Sequence, residues 1–129
     1  MRESTPIFSV KTNLLYRLPV AAYCIFIFWQ SSYASPEGLP SFAFSDKILH
    51  MGGYALLGLL VLRALLREDL NASRGRLMAA AIAFSVSYGI TDEVHQSFVS
   101  DRVADGFDLL ADTAGAVMGV LFFDRWHHR

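Results

Sequence analysis

Four apolar segments, each about 20 residues long, dominate this chain of 129 residues. They cover approximately residues 14–34, 46–66, 77–96 and 106–123, and short polar stretches connect them. About 20 apolar residues in a helix cross the ~30 Å hydrocarbon core of a bilayer, and a helix satisfies its own backbone hydrogen bonds there. The sequence therefore predicts an all-α, polytopic membrane protein with four transmembrane helices in a bundle, formed as a single domain.

The composition agrees with a membrane protein and excludes some function classes. Only 18% of the residues are charged, whereas about a quarter are charged in a typical soluble domain. The formal net charge of −1 argues against a nucleic-acid partner, because such proteins carry a basic patch. The single cysteine, Cys24, lies in an apolar segment and is interpreted as a small apolar filler.

The first segment has a second interpretation as a signal peptide. Its basic start and the pattern Ser32-x-Ala34 would suit cleavage after Ala34. The segment is long and aromatic, however, and Trp29 lies close to that cleavage point. We therefore expect the first segment to be retained as a membrane span.

Lysine and arginine are distributed unevenly between the two sides of the predicted bundle, and cytoplasmic loops carry the excess of these residues. One side has Lys47 and Arg102. The other has Arg2, Lys11, Arg17, Arg63, Arg67, Arg74, Arg76, Arg125 and Arg129. This asymmetry predicts cytoplasmic N and C termini, with residues 91–112 near the outer face.

Polar side chains from three predicted helices, and from the loop between the last two of them, converge at that outer end. They are Asp46, Lys47, His50, Tyr54, Asp92, Glu93, His95, Gln96, Arg102, Asp108 and Asp112. Spacings of four residues put Asp46, His50 and Tyr54 on one helix face, and Asp108 and Asp112 on another. Ionisable groups at membrane depth are costly unless they pair, meet water or serve a function. The pattern therefore predicts a polar site at the outer end of the bundle.

A purely structural interpretation competes with this one. Acidic side chains at helix N-termini cap the helix and complement its dipole, which would account for Asp46 and Asp108. An ion pair between Arg102 and Asp108 would fix the loop without any chemistry. Several ionisable groups at one membrane depth are harder to explain in this way, so we favour a functional site.

The residue types permit general acid/base chemistry and, as an alternative, a divalent metal ion. We expect catalytic roles for His50, Glu93, Asp92 and Tyr54. We expect substrate-binding roles for Asp46, Lys47, Gln96, Arg102, Asp108 and Asp112. The metal-ligand candidates are His50, Asp92, Glu93, His95 and Asp112, although the chain has no dense metal motif such as HExxH.

Over residues 14–123 the chain resembles the VanZ-like family of small polytopic membrane proteins. The resemblance is carried by Ser45-Asp46-Lys47-x-x-His50-x-x-x-Tyr54-x-x-Leu57-Gly58, Asp92-Glu93-x-x-Gln96-x-Phe98, Arg102 followed six residues later by Asp108, and Gly115-x-x-x-Gly119. Gln30-Ser31-Ser32 also matches the family's appearance. One departure is Asp112, where the family pattern usually has asparagine. The resemblance implies a location in the bacterial cytoplasmic membrane and a role in the cell envelope connected with resistance to glycopeptides of the teicoplanin type.

Three function classes follow. The first is an enzyme, a hydrolase or transferase, that modifies the head group of an envelope lipid or a lipid-linked glycan precursor. The second is a protein that binds or shields such a head group without turnover. The third, an ion or proton path, is disfavoured because the polar residues cluster in one leaflet. In the first two classes the partner is a membrane lipid or a lipid-linked precursor.

Overall fold

Four long helices make up the computed structural model, which describes residues 10–32, 45–68, 71–99 and 106–127. They are α1 (Val10–Ser31), α2 (Ser45–Glu68), α3 (Arg74–Gln96) and α4 (Gly106–His127). Each helix is long and apolar enough to cross a membrane. The prediction of an all-α membrane protein with four spans is therefore confirmed.

Helix α1 begins at Val10, before the predicted start at residue 14, and contains a π-helical turn at Asn13–Arg17. Pro19 follows that turn and has no backbone N–H to offer to the carbonyl of Leu15, four residues earlier. The Leu15 carbonyl instead accepts a hydrogen bond from Nη1 of Arg63 at 2.6 Å. A side chain of α2 thus replaces the backbone donor that proline removes from α1.

Helices α3 and α4 each extend beyond the predicted span at the end that carries most of the arginines. The Ser73 side chain caps α3 by accepting a hydrogen bond from the backbone N–H of Arg76, so the helix begins at Arg74. Arg74 then forms an ion pair with Asp124 of α4. This pair lies in the last turns of α4, which continues to His127 instead of ending at residue 123.

Helices α2 and α4 run parallel and approach each other through glycine. A Cβ added at Gly115 would lie 2.9 Å from the Cα of Met51, and one at Gly119 would lie 2.8 Å from the Cα of Ala55. Real side chains do not tolerate contacts this short, so only glycine permits this backbone approach. The predicted packing face at Gly115-x-x-x-Gly119 is thereby confirmed, and its register brings the first turns of α2 and α4 together.

The inner faces of the helices are apolar toward the end of the bundle that holds Arg74 and Asp124. They are polar toward the end where α2 and α4 begin. The buried apolar core includes Leu57, Leu62, Ala81 and Val120. Large apolar side chains also remain exposed along the spans; they include Ile25, Phe28, Phe84, Leu110 and Leu121. In a membrane such side chains face lipid, which explains why a bundle of this size exposes so much apolar surface.

Candidate functional site

The first turns of α2 and α4 hold a cluster of two carboxylates, one imidazole and one ammonium group. Nδ1 of His50 lies 2.8 Å from Oδ1 of Asp112. Nε2 of the same ring lies 3.8 Å from Oδ2 of Asp108, which is an ion-pair distance rather than a hydrogen bond. Lys47 forms an ion pair with the other oxygen of Asp108. We call these four residues, Lys47, His50, Asp108 and Asp112, the histidine cluster.

Asp112 is the most unusual member because its side chain is 0% exposed. Its Oδ2 atom is buried and has no hydrogen-bond partner among the described residues. A buried ionised carboxylate is costly unless its oxygens are satisfied, and most buried polar atoms in proteins do have partners. The contact with His50 therefore compensates only part of the cost of burying this group.

A second polar network surrounds Asp92 on α3, which is also buried. The Ser31 hydroxyl of α1 donates to Oδ1 of Asp92, and the Tyr54 hydroxyl of α2 donates to Oδ2 at 3.3 Å. Nε2 of Gln96 makes longer contacts of 3.5 Å with Oδ2 and with the Ser31 hydroxyl. We call Ser31, Tyr54, Asp92 and Gln96 the aspartate network; it ties three helices together at one carboxylate.

Gly89 of α3 lies where the two groups of residues meet. A Cβ at Gly89 would be 3.2 Å from Oδ2 of Asp112 and 3.4 Å from the ring of Tyr54. The absence of a side chain at Gly89 thus leaves room for the buried carboxylate of α4 beside the tyrosine of α2. The histidine cluster and the aspartate network therefore adjoin within one polar region at the end of the bundle.

Glu93 and His95 occupy other faces of α3. Glu93 is half-buried and follows Asp92 by one residue, a rotation of about 100° around the helix. The His95 ring stacks on Phe28 with centroids 4.2 Å apart, and its Nε2 lies 2.9 Å from the Ser32 hydroxyl. The structure therefore places His95 against α1, whereas His50 faces α4.

The five metal-ligand candidates are divided among these positions. In the described part of the chain, no group of three His, Cys, Asp or Glu side chains comes together as a metal-ion site. His50 and Asp112 form one pair, while Asp92 bonds to hydroxyl groups in the other network. A divalent metal at this site stays a prediction that needs a measurement.

Two of the predicted site residues fall partly or wholly outside the described residues. These are Arg102 and the side chain of Asp46. Conversely, sequence reasoning did not assign site roles to Ser31, Ser32 or Gly89. The signal for Ser31 and Ser32 was present, because serine hydroxyl groups in membrane helices form hydrogen bonds to neighbouring helices.

Comparison with known proteins assigns the family. The family model described as VanZ/LLP1 matches residues 10–127, which is nearly the whole chain. Searches of curated proteins and of solved structures gave no match. Together with four helices suited to crossing a membrane, the match shows that this chain belongs to the VanZ/LLP1 family, a family of multi-pass bacterial membrane proteins associated with glycopeptide resistance.

Proposed function

We propose that the histidine cluster is a general acid/base centre that modifies the head group of an envelope lipid or a lipid-linked glycan precursor. The observation that carries this proposal is the position of His50 between two carboxylates, Asp112 at 2.8 Å and Asp108 at 3.8 Å. Histidine is the side chain best suited to proton transfer near neutral pH. Two flanking carboxylates hold its ring and stabilise its protonated form.

The contact with Asp112 bears on which ring nitrogen of His50 carries the proton. An ionised carboxylate only accepts hydrogen bonds, so the Nδ1–H of His50 donates to Oδ1 of Asp112 in that state. Nε2 is then the basic nitrogen of the neutral ring, as in other sites where a carboxylate orients a histidine. In this proposal Nε2 accepts the proton of an attacking hydroxyl, from water or from a second head group, and returns a proton to the leaving group.

Lys47 and the depth of the cluster support a lipid substrate. The side chain of Lys47 is 28% exposed beside the buried Asp108, so a cation borders the site where solvent enters. The cluster lies in the first turns of two membrane helices, at the level where lipid head groups meet the hydrocarbon core. The uneven distribution of arginine and lysine supports an outward-facing site. Arg102, which lies between α3 and α4 in the sequence, is the proposed clamp for a phosphate or carboxylate.

A protein that binds the head group without turnover is the second candidate, and the aspartate network favours it. Both oxygens of Asp92 accept hydrogen bonds from hydroxyl groups of neighbouring helices. Such a satisfied network gives a rigid polar wall, which suits recognition as well as catalysis. In this alternative the protein shields an envelope target from the antibiotic, and no lipid changes chemically.

The experiment that separates these functions uses bacterial cells expressing wild type, His50→Gln or no protein. Glycopeptide susceptibility and the mass-spectrometric profile of envelope lipids and lipid-linked precursors are measured on the same cultures. His128→Gln, in the C-terminal tail, is the matched control for the substitution. We expect wild type and His128→Gln each to make one lipid species appear or disappear relative to cells without the protein. We expect no such change with His50→Gln. Identical profiles, with protection still dependent on His50, would support the binding function instead.

A further inference from the structure

An open cavity of about 510 Å³ lies between α1, α2 and α4, at the end of the bundle opposite to the histidine cluster. Its walls include Tyr16, Arg63, Arg67, Trp126 and His127. At about 1.5 Å per residue along α2, Arg63 lies roughly 20 Å from His50. The cavity is therefore separate from the histidine cluster and the aspartate network.

Two arginine side chains of α2 share one aromatic ring of α1 in this cavity. Cζ of Arg63 lies 4.4 Å from the centroid of the Tyr16 ring, and Cζ of Arg67 lies 5.7 Å from it. Each guanidinium is attracted electrostatically to the negative face of the ring. The two cations are nevertheless four residues apart on one helix, where like charges repel each other. The arrangement concentrates positive charge at one point.

Neither arginine has a carboxylate partner within the described segments, although other arginines at the same end do. Arg17 pairs with Glu68, and Arg74 pairs with Asp124. Arg63 instead donates to the uncharged Leu15 carbonyl, which Pro19 leaves without its backbone donor. The positive charge of Arg63 and Arg67 is thus not balanced by an acidic side chain of this part of the chain.

We propose that this cavity binds the phosphate of an anionic membrane lipid, with Arg63 and Arg67 as its ligands. The guanidinium fork fits phosphate oxygens, and basic pockets between membrane helices bind such head groups. Leu66 and Phe123 give the cavity an apolar wall that suits the first carbons of an acyl chain. Trp126, which is 71% exposed in the last turn of α4, is the residue type that lies at the head-group level. The site does not depend on the function proposed for His50.

The test is native mass spectrometry of the full-length protein in micelles loaded with equal amounts of phosphatidylglycerol and phosphatidylcholine of the same acyl chains. We expect wild type to retain one phosphatidylglycerol in preference to phosphatidylcholine. The double variant Arg63→Gln/Arg67→Gln is expected to lower the affinity for phosphatidylglycerol roughly 10- to 30-fold. This range follows because each cation near the head group contributes about fivefold.

The matched control is Arg76→Gln/Arg125→Gln, which removes two exposed positive charges from the same end of the bundle but none from the cavity wall. It should stay within about twofold of wild type, because charges away from the cavity act only through screened long-range attraction. Equal loss in both double variants would overturn the proposal. If Arg63→Gln/Arg67→Gln does not fold, the wild-type preference still decides, since equal retention of the two lipids contradicts an anionic site. Retention of soluble glycerol 3-phosphate as strong as that of phosphatidylglycerol would overturn the assignment to a lipid.

Discussion

Nδ1 of His50 lies 2.8 Å from Oδ1 of Asp112, so a completely buried carboxylate of α4 sets the orientation of an imidazole on α2. The same carboxylate has a second buried oxygen without a hydrogen-bond partner among the described residues. Burying a carboxyl group with an unpartnered oxygen costs stability. In the proposed acid/base role, this carboxyl group orients the histidine beside it.

Substitution of Asp112 tests how much of this role depends on charge. In Asp112→Asn the amide oxygen still accepts from Nδ1–H of His50, but the negative charge that stabilises the protonated ring is lost. We expect this variant to fold and to lose function by about tenfold. Asp112→Leu removes the acceptor as well and should lose roughly 10²–10⁴-fold. Lipid modification or glycopeptide protection gives the readout.

Asp124→Asn, at the other end of α4, is the control for removing a carboxylate from the same helix. Full function in Asp112→Leu would show that the contact with His50 has no functional role.

Packing of α2 on α4 depends on the absence of a side chain at Gly119. A Cβ there would lie 2.8 Å from the Cα of Ala55, so the two helices would have to separate. We expect Gly119→Ala to lower the free energy of unfolding by about 1–3 kcal/mol. Gly52→Ala is the matched control, since a Cβ at Gly52 meets nothing within 4 Å. Alanine is favoured over glycine in helices, so this control should be neutral or stabilising. Unfolding of the purified protein by denaturing detergent measures both, and equal effects would contradict the close contact.

The aspartate network is expected to stabilise the attachment of α1 to the rest of the bundle. Ser31→Ala removes the hydroxyl that donates to Asp92 and leaves a buried carboxylate oxygen without that donor. The expected loss of unfolding free energy is about 1–3 kcal/mol. Ser97→Ala removes an exposed hydroxyl that bonds only locally, to the Val94 carbonyl, and should have little effect. A double-mutant cycle with Asp92→Ala, which removes the acceptor, measures the coupling, and strict additivity would show that the two side chains do not interact.

The outward orientation of the site has its own test. In a Cys24→Ser background, a single cysteine replaces either Ser97, after the end of α3, or Arg125, near the end of α4; both positions are exposed. A membrane-impermeant maleimide added to intact cells should label the Ser97→Cys variant and not the Arg125→Cys variant, as the distribution of lysine and arginine predicts. The reverse pattern would place the histidine cluster on the cytoplasmic side.

The number and approximate limits of the spans were predictable because apolar length alone identifies a membrane helix. The contact at Gly115-x-x-x-Gly119 was also predictable, since small residues four apart let helices approach. The partners of the polar side chains were not. His50 and Tyr54 share a face by spacing, yet each step of four residues turns about 40° around the helix. His50 consequently meets Asp112 of α4, and Tyr54 meets Asp92 of α3. Such pairings depend on the rotation of each helix in the bundle, and no local pattern encodes it.

An acid/base role of His50 is tested with purified protein and an extract of envelope lipids and lipid-linked precursors in detergent micelles. The extract is incubated with wild type or His50→Gln and followed by mass spectrometry over time. We predict that wild type converts one head-group species into another, in proportion to protein and time, and that His50→Gln does not. An extract that wild type leaves unchanged, although cells still need His50 for glycopeptide protection, would contradict an acid/base enzyme and identify the site as a binding surface.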